Sequence, residues 1–164
     1  SDATALTGAA NMTTLHVTNW AGALADACER ASKSITISAI SMFPPLRNSE
    51  AEFSRLWRAW VSAAARGVTV LIFLPTPQPA HPATMRNASA AAIAYKSDIQ
   101  CRFIPGPRLL HAKSIVIDGE QVWIGSGNMT AAAALTNHEF YVQFESRECA
   151  TRIEQYLDNI ANQR

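Results

Sequence analysis

Apolar positions recur along this chain in two periods, and their alternation predicts the order of elements. Thr14–Val17 has the composition of a short strand. Trp20, Leu24, Cys28 and Ala31 then follow at helical spacing, with Asn19 in place to cap the helix they define. Ser34–Met42 alternates every second residue, as a strand does, until Phe43-Pro44-Pro45-Leu46 breaks it. Ser49-x-x-Glu52 has the form of a capping box and opens a helix that runs to Arg66, with Gly67 as its stop. Phe53, Leu56, Trp57, Trp60 and Ala64 form the apolar stripe of that helix.

Val68–Leu74 is apolar throughout, which suits a central strand covered on both faces. Pro75 to Pro79 is a loop, and an Ala-rich helix is predicted from Pro82 to Lys96. Gln100–Ile104 reads as a strand, and Pro105 to Pro107 turns the chain. Two short β-branched runs, Ser114–Ile117 and Gln121–Ile124, flank Asp118-Gly119, a strong hairpin signal. Met129–Leu135 predicts a short helix whose free N–H groups face the end of the hairpin, and His138–Phe144 is the last strand. Ser146 caps a final helix with Cys149, Ile153, Tyr156, Leu157 and Ile160 along its inner face. The expected fold is α/β, a mixed and mostly parallel central sheet with helices on both faces, in a single domain over residues 13–164. Residues 1–12 are small and polar and are expected to be a flexible N-terminal segment or a cloning remnant.

Composition narrows the class. Apolar residues make up 48% and charged residues 16%, as in ordinary globular domains, and no run of roughly 18 apolar residues is present to cross a membrane. No basic-then-apolar signal segment opens the chain, so a cytoplasmic location is expected. Ser1-Asp2-Ala3 lacks an initiating Met, which leaves room for a removed leader or a larger parent chain. Cys28, Cys101 and Cys149 are odd in number and far apart, reading as reduced, buried thiols rather than a disulfide frame or a zinc site. Net charge is only +1, but residues 55–117 hold eight Lys and Arg against Asp98 alone, a local excess of +7. Such a stretch draws anionic substrates, although Arg55, Arg58 and Arg66 also suit the solvated face of a helix.

The hairpin concentrates the candidate chemistry. His111 and Lys113, two apart, project from one face of the first strand, and antiparallel pairing returns Ser126 and Asn128 beside them. An imidazole, an ammonium, a hydroxyl and a carboxamide at one end make a phosphate site with a nucleophile in it. Imidazole can attack phosphorus to form a phosphohistidine, with Lys113 and Asn128, helped by Ser126, holding the phosphoryl oxygens. Glu139 or Asp118 could fix the histidine tautomer. Lysine already neutralises charge, and no carboxylate cluster suggests a metal site, so neither metal nor cofactor is expected.

His111-x-Lys113-x(4)-Asp118 followed by Gly125-Ser126-x-Asn128 resembles the HKD motif of the phospholipase D superfamily, and Asn137-His138-Glu139 resembles the acidic element that follows it. The resemblance implies the phospholipase D-like fold, favours Glu139 as the contact of the catalytic histidine, and gives Asp118 a more structural role. Family members use two such motifs, one histidine as nucleophile and the other as general acid. This chain has one, since His16, His81 and His138 have no Lys two residues on. A homodimer sharing one site between two copies of His111 is therefore implied, as in the short, nuclease-like branch. The expected activity is a metal-independent endonuclease with nucleic acid, DNA favoured, as substrate. The alternative is a phospholipase D or phosphatidyltransferase acting on membrane lipid, with Met42, Phe43, Leu46 and the tryptophans as an exposed rim. A third reading is a binding or scaffold module.

Blander roles compete at each position. His111 and Lys113 could be edge-strand polar residues, Ser126-Gly127-Asn128 only a turn, and Glu139 a surface carboxylate. Gly125-x-Gly127 lacks the downstream Lys-Ser/Thr of a P-loop. His138 reads better as a strand histidine than as a ligand, and Trp57 and Trp60 as core or dimer interface.

Overall fold

The strand-forming runs assemble into one eight-stranded sheet in the order β1-β2-β8-β7-β6-β3-β4-β5. The computed structural model describes residues 3–7, 12–46 and 51–163. The strands are β1 (Ala3–Thr7), β2 (Met12–His16), β3 (Ser34–Ser38), β4 (Thr69–Pro75), β5 (Gln100–Ile104), β6 (Ser114–Ile117), β7 (Gln121–Gly125) and β8 (Tyr141–Glu145). The helices are α1 (Trp20–Glu29), α2 (Ala51–Ala65), α3 (Asn87–Tyr95), α4 (Ala131–Leu135) and α5 (Arg147–Ala161). The sheet is mixed, as expected, but it is not mostly parallel. Only β3–β4 and β4–β5 run parallel, each joined by a crossover helix, whereas the described pairings from β1 to β3 are antiparallel. The hairpin and the three strands that extend its sheet outward, β8, β2 and β1, carry that majority.

The apolar periods explain which face is covered by what. Trp20, Leu24 and Cys28 of α1 and Phe53, Leu56 and Trp60 of α2 pack together over Ile35, Ile37 and Ile115, all of them buried. Trp57 and Trp60 belong to this core, their rings 5.6 Å apart. Each fully buried large side chain contributes about 1.5–3 kcal/mol relative to exposure. On the opposite face α5 sets Leu157 against Phe73, Ile104 and Leu110, with Ile153 and Ile160 partly buried beside them. Tyr156, expected on the inner face of α5, is instead 55% exposed. The Ser146 hydroxyl accepts the N–H of Cys149, the cap predicted for this helix.

Several boundaries move for identifiable reasons. Residues 3–7 are not an unstructured segment, since β1 pairs along its length with β2. The run Ser34–Met42 leaves the sheet after Ser38, because residues 40–43 turn to bond the segment after β7. Met42 bridges Met129, and the Phe43 N–H reaches the Met129 carbonyl at 3.1 Å. The helix predicted from Pro82 to Lys96 splits into a 3-10 turn, Pro82–Thr84, and α3. Thr84 closes that turn with its hydroxyl on the His81 carbonyl, and buried Asn87 opens α3 with its side chain bonded elsewhere. β8 begins at Tyr141 rather than His138, and Asn19 stands before α1 without a side-chain capping bond. Ser49, the first half of the expected capping box, lies outside the described residues.

The cysteines depart partly from a buried set. Cys28 is buried and its thiol is pushed up to about 12 by that burial, while Cys101 and Cys149 are half-buried.

Candidate active site

Register places the chemistry at one end of the sheet. Ser114 pairs with Ser38 and with Ile124, so residues 111–113 enter β6 beside the C-terminal ends of β3 and β4, and beside the exit of β7. Ligands of open α/β sheets collect at such an edge, outside the carboxyl ends of parallel strands. On β6, Ser114 and Val116 alternate with Ile115 and Ile117, which lie under α1 and α2. His111 and Lys113 share the latter parity, as do Tyr141 and Glu139 across the sheet. Lys113 Nζ lies 3.5 Å from His111 Nδ1; the imidazole is exposed and the ammonium half-buried.

The segment after β7 is held in place by main-chain bonds that the sequence required. Asn128 Oδ1 accepts the N–H groups of Ile40 (3.0 Å) and Ser41 (3.4 Å). Its carbonyl half thus fixes the exit of β3 and leaves the Nδ2 amide as the donor available to a phosphoryl oxygen. Ser126 Oγ accepts the Phe140 N–H at 3.2 Å, and Ser126 N–H donates to the Phe140 carbonyl at 3.1 Å. The Ser126 hydroxyl also donates to the Phe140 carbonyl at 3.5 Å, so Ser126 splices β7 to the entry of β8 and would have to give up that long bond to donate to substrate. Thr130 Oγ1 caps α4 by accepting the Ala133 N–H, and the helix begins at Ala131 rather than Met129. The N–H groups expected to face the site are in part already satisfied.

Glu139 and Asp118 separate cleanly. Within the single chain Glu139 makes no hydrogen bond to His111. Its charge is felt instead by Lys113, whose pKa burial pushes down and Glu139 pulls back up, the net shift being downward. Asp118 is not at this end at all. It lies past the far end of β6, where its carboxylate accepts the N–H groups of Ser32 (3.1 Å), Lys33 (2.7 Å) and Ser34 (3.1 Å). It ties the hairpin to the start of β3, too far from His111 to fix its tautomer, so the role offered to it in catalysis gives way to a structural one. Partial burial raises its carboxyl pKa, but the three N–H bonds outweigh that and hold it below the usual value of 3.8.

Because the folded value is depressed, the stabilisation by Asp118 is present above the unfolded pKa and lost as pH falls through the folded one. Asn is expected to keep the left-handed backbone at this position (φ 54°) while weakening three charge-assisted bonds. Asp118→Asn should cost about 1–3 kcal/mol at neutral pH. Denaturant titrations at neutral pH and near pH 3 should show the gap between the two proteins closing in acid. Equal stability at neutral pH would refute this anchoring role.

Two glycines are required by close approach. A β-carbon on Gly125 would meet the Phe140 carbonyl oxygen and lie 2.5 Å from Tyr141 Cγ. One on Gly127 would lie 2.9 Å from the Trp20 ring, 3.1 Å from Tyr141 and 3.2 Å from Glu139 Oε2. Gly125→Ala should therefore lose about 3 kcal/mol by overpacking against backbone. A thermal midpoint lower by roughly 6–12 °C is the measurable outcome, and an unchanged midpoint would show that β8 yields without cost.

Pattern reading passed over two supports of the site. Tyr141 is buried, donates its hydroxyl to the Gly127 carbonyl, and lies 4.7 Å from the Trp20 ring. Its position two residues after Glu139, on the same strand face, was the available signal. Asn87 is buried too, donating to Ile40 O (2.8 Å) and Pro75 O (3.2 Å) and accepting from the Met42 N–H (3.3 Å). Nothing local marks it beyond its place at a helix start. His16 stacks on Trp123 and bonds Gln143 (2.8 Å), a packing role. Among the described residues no three His, Cys, Asp or Glu side chains converge as a metal-holding group.

Residues 24–161 match the family described as cardiolipin synthase, PLD-like domain. Curated relatives named phospholipase D from Rickettsia felis and Rickettsia conorii are 32% and 31% identical over 141 residues. That is 86% of this chain and 62% of each relative, so the chain spans less than two thirds of their length. Among solved structures, Nuc from Salmonella typhimurium, a phospholipase D family member, is similar at a TM-score of 0.71 and 25% identity, covering 92% of this chain and 95% of Nuc. NucT from Helicobacter pylori is similar at 0.68 and 19% identity, with 90% and 94% covered. Phosphatidylserine synthase from Haemophilus influenzae is similar at 0.68 and 12% identity, over 90% of this chain but only 38% of that one.

Proposed function

The chain belongs to the phospholipase D superfamily, and on that premise we propose that it is a metal-independent phosphodiesterase acting on nucleic acid, DNA above all, as a homodimer with both copies of His111 in one site. The observation that carries the reading is the open cluster of His111, Lys113 and Asn128 with a single catalytic histidine per chain. The match with Nuc, a phospholipase D family member of which this fold covers 95%, supports a single-motif unit completed by its own copy.

In this mechanism one His111 nitrogen attacks phosphorus as the bond to the leaving alkoxide oxygen breaks, forming a P–N bond. The partner's His111 gives its proton to that alkoxide. Water then attacks phosphorus, the P–N bond returns its electrons to the imidazole, and the partner's His111 takes the water proton. Lys113 and the Asn128 amide hold the non-bridging oxygens through both displacements, where a partly dried site strengthens them. Glu139 steadies the Lys113 ammonium.

The lipid reading has its own observation. Of the rim expected from the sequence Leu46 is exposed, but Met42 and the tryptophans are buried, and Phe43 lies beneath the Arg86 guanidinium at 3.9 Å. Phe140, Leu135 and Val17, however, are exposed beside Glu139 around a cleft of about 310 Å³. They supply an apolar rim at a different place.

The deciding experiment offers single- and double-stranded DNA and RNA in EDTA at low salt, alongside phospholipid vesicles. Strand cleavage without vesicle turnover is the expected result. Release of headgroup or phosphatidic acid with all four nucleic acids intact would replace this reading by the lipid one.

A further inference from the structure

A cleft of about 260 Å³ opens beside the site between the β5–β6 connection and the C-terminal half of α5. His111 is part of its wall, so a substrate whose phosphorus meets His111 continues into it. Among the described residues Arg108 is the one Lys or Arg along that wall, and no Asp or Glu lines it. The other arginines of the basic middle are largely engaged. Arg55 and Arg102 are ion-paired, Arg66 donates to the carbonyls at the end of α1, and Arg86 covers Phe43. Arg108 is exposed and has no carboxylate partner among the described residues. Tyr156, the residue that turned outward from α5, stands over the same cleft with its ring 55% exposed. It also walls a second cleft of about 450 Å³ on the side of Ser146, which Glu148 and Arg152 line as well.

We propose that Arg108 and Tyr156 form a subsite for the nucleotide adjoining the scissile phosphodiester, Arg108 taking the neighbouring phosphate and Tyr156 stacking on its base. The proposal rests on the nucleic-acid reading and narrows it. A guanidinium supplies a planar, bidentate phosphate donor. An exposed phenol ring offers a stacking platform indifferent to base identity. Stacking needs a base turned out of a duplex, so unpaired strands are preferred. Tyr156 and Arg108 touch neither the reacting phosphorus nor its leaving group. They hold the substrate's flank, so a diester too short to have a flank gains nothing from them.

The test compares methyl 4-nitrophenyl phosphate, a short single-stranded oligonucleotide, the same sequence as a duplex, and phospholipid vesicles. Tyr156→Ala and Arg108→Ala should each raise KM on the single strand about tenfold, with kcat little changed. Turnover of the small diester should stay within about twofold in both variants, since no contact reaches its flanks. Tyr156→Phe should restore single-strand KM, which a lost hydroxyl bond would not do. Thermal midpoints taken alongside identify any misfolded variant, and Tyr156→Leu and Arg108→Gln, which also remove the ring and the charge, carry the comparison in that case. Unchanged single-strand KM in a wild type that cleaves strands would overturn the subsite and leave the nuclease reading standing. So would equal losses on strand and small diester, or a loss confined to vesicles. A wild type that turns over the small diester but no nucleic acid would overturn both.

Discussion

His111→Ala should abolish strand cleavage, by on the order of 10⁴-fold or more, the scale expected when a covalent nucleophile is deleted. His111 is exposed and takes part in no core packing, so the variant should fold as the wild type does. The loss is then chemical. Two further readouts separate a nucleophile from a mere binding group. Acid-labile phosphate should be trapped on wild-type protein quenched during turnover and be missing from the variant. Mixing is the sharper one. If each site needs two copies of His111, hybrid dimers of wild type and His111→Ala are dead, and random mixing in equal amounts leaves about a quarter of the dimers active, not half. A linear fall with the wild-type fraction would show that each subunit works alone and would end the shared-site account.

The architecture was legible where a single residue type has a single physical use. Asp118-Gly119 needs left-handed backbone, so the hairpin between β6 and β7 could be placed to within a residue. Ser146 and the stripe on α5 likewise announced the last helix. Sheet direction was not legible, because a strand covered on both faces has the same apolar run whether its neighbour is parallel or antiparallel. Residues 39–43 misled for a related reason: Ala39-Ile40-Ser41-Met42 continues the alternation of β3, but its hydrogen bonds go to Asn128 and Met129 from far along the chain. At the site, the motif placed His111, Lys113 and Asn128 at one end of the hairpin, where the structure has them, because spacing alone fixes their side of it. Residue chemistry alone could not distinguish Asp118 from Glu139, and it was the family resemblance that gave Asp118 the structural role. Both are carboxylates near the motif in sequence, and only the length of β6 between His111 and Asp118 parts them in space. Arg108 and Tyr156 fit no motif, and Tyr156 satisfied the inner-face spacing of α5 while standing at its edge.

Lys113 is the second residue whose removal should be costly, and its pH behaviour identifies its role. Lys113→Ala should lower kcat about 10²–10³-fold, the range for deleting one donor aimed at developing phosphoryl charge. Its thermal midpoint should not fall, because this ammonium is held at an electrostatic cost. Burial lowers the Lys113 pKa below the usual 10.5, and the attraction of Glu139 only partly offsets that. A base whose folded pKa is depressed binds protons less readily in the folded than in the unfolded chain. Stability therefore gains as pH rises between the folded value and 10.5. Activity runs the other way. The phosphoryl oxygens need the protonated form, so cleavage should decline as pH rises through the folded pKa, earlier than an ordinary lysine would dictate. Glu139→Gln removes the only attraction opposing the shift and should move this alkaline limb to lower pH. Lys113→Arg keeps its charge throughout and should lose the limb at whatever reduced rate its geometry allows. A pH profile whose alkaline limb is the same in wild type, Glu139→Gln and Lys113→Arg would mean that another group titrates there, and that Lys113 holds the fold of the site rather than the charge of the substrate.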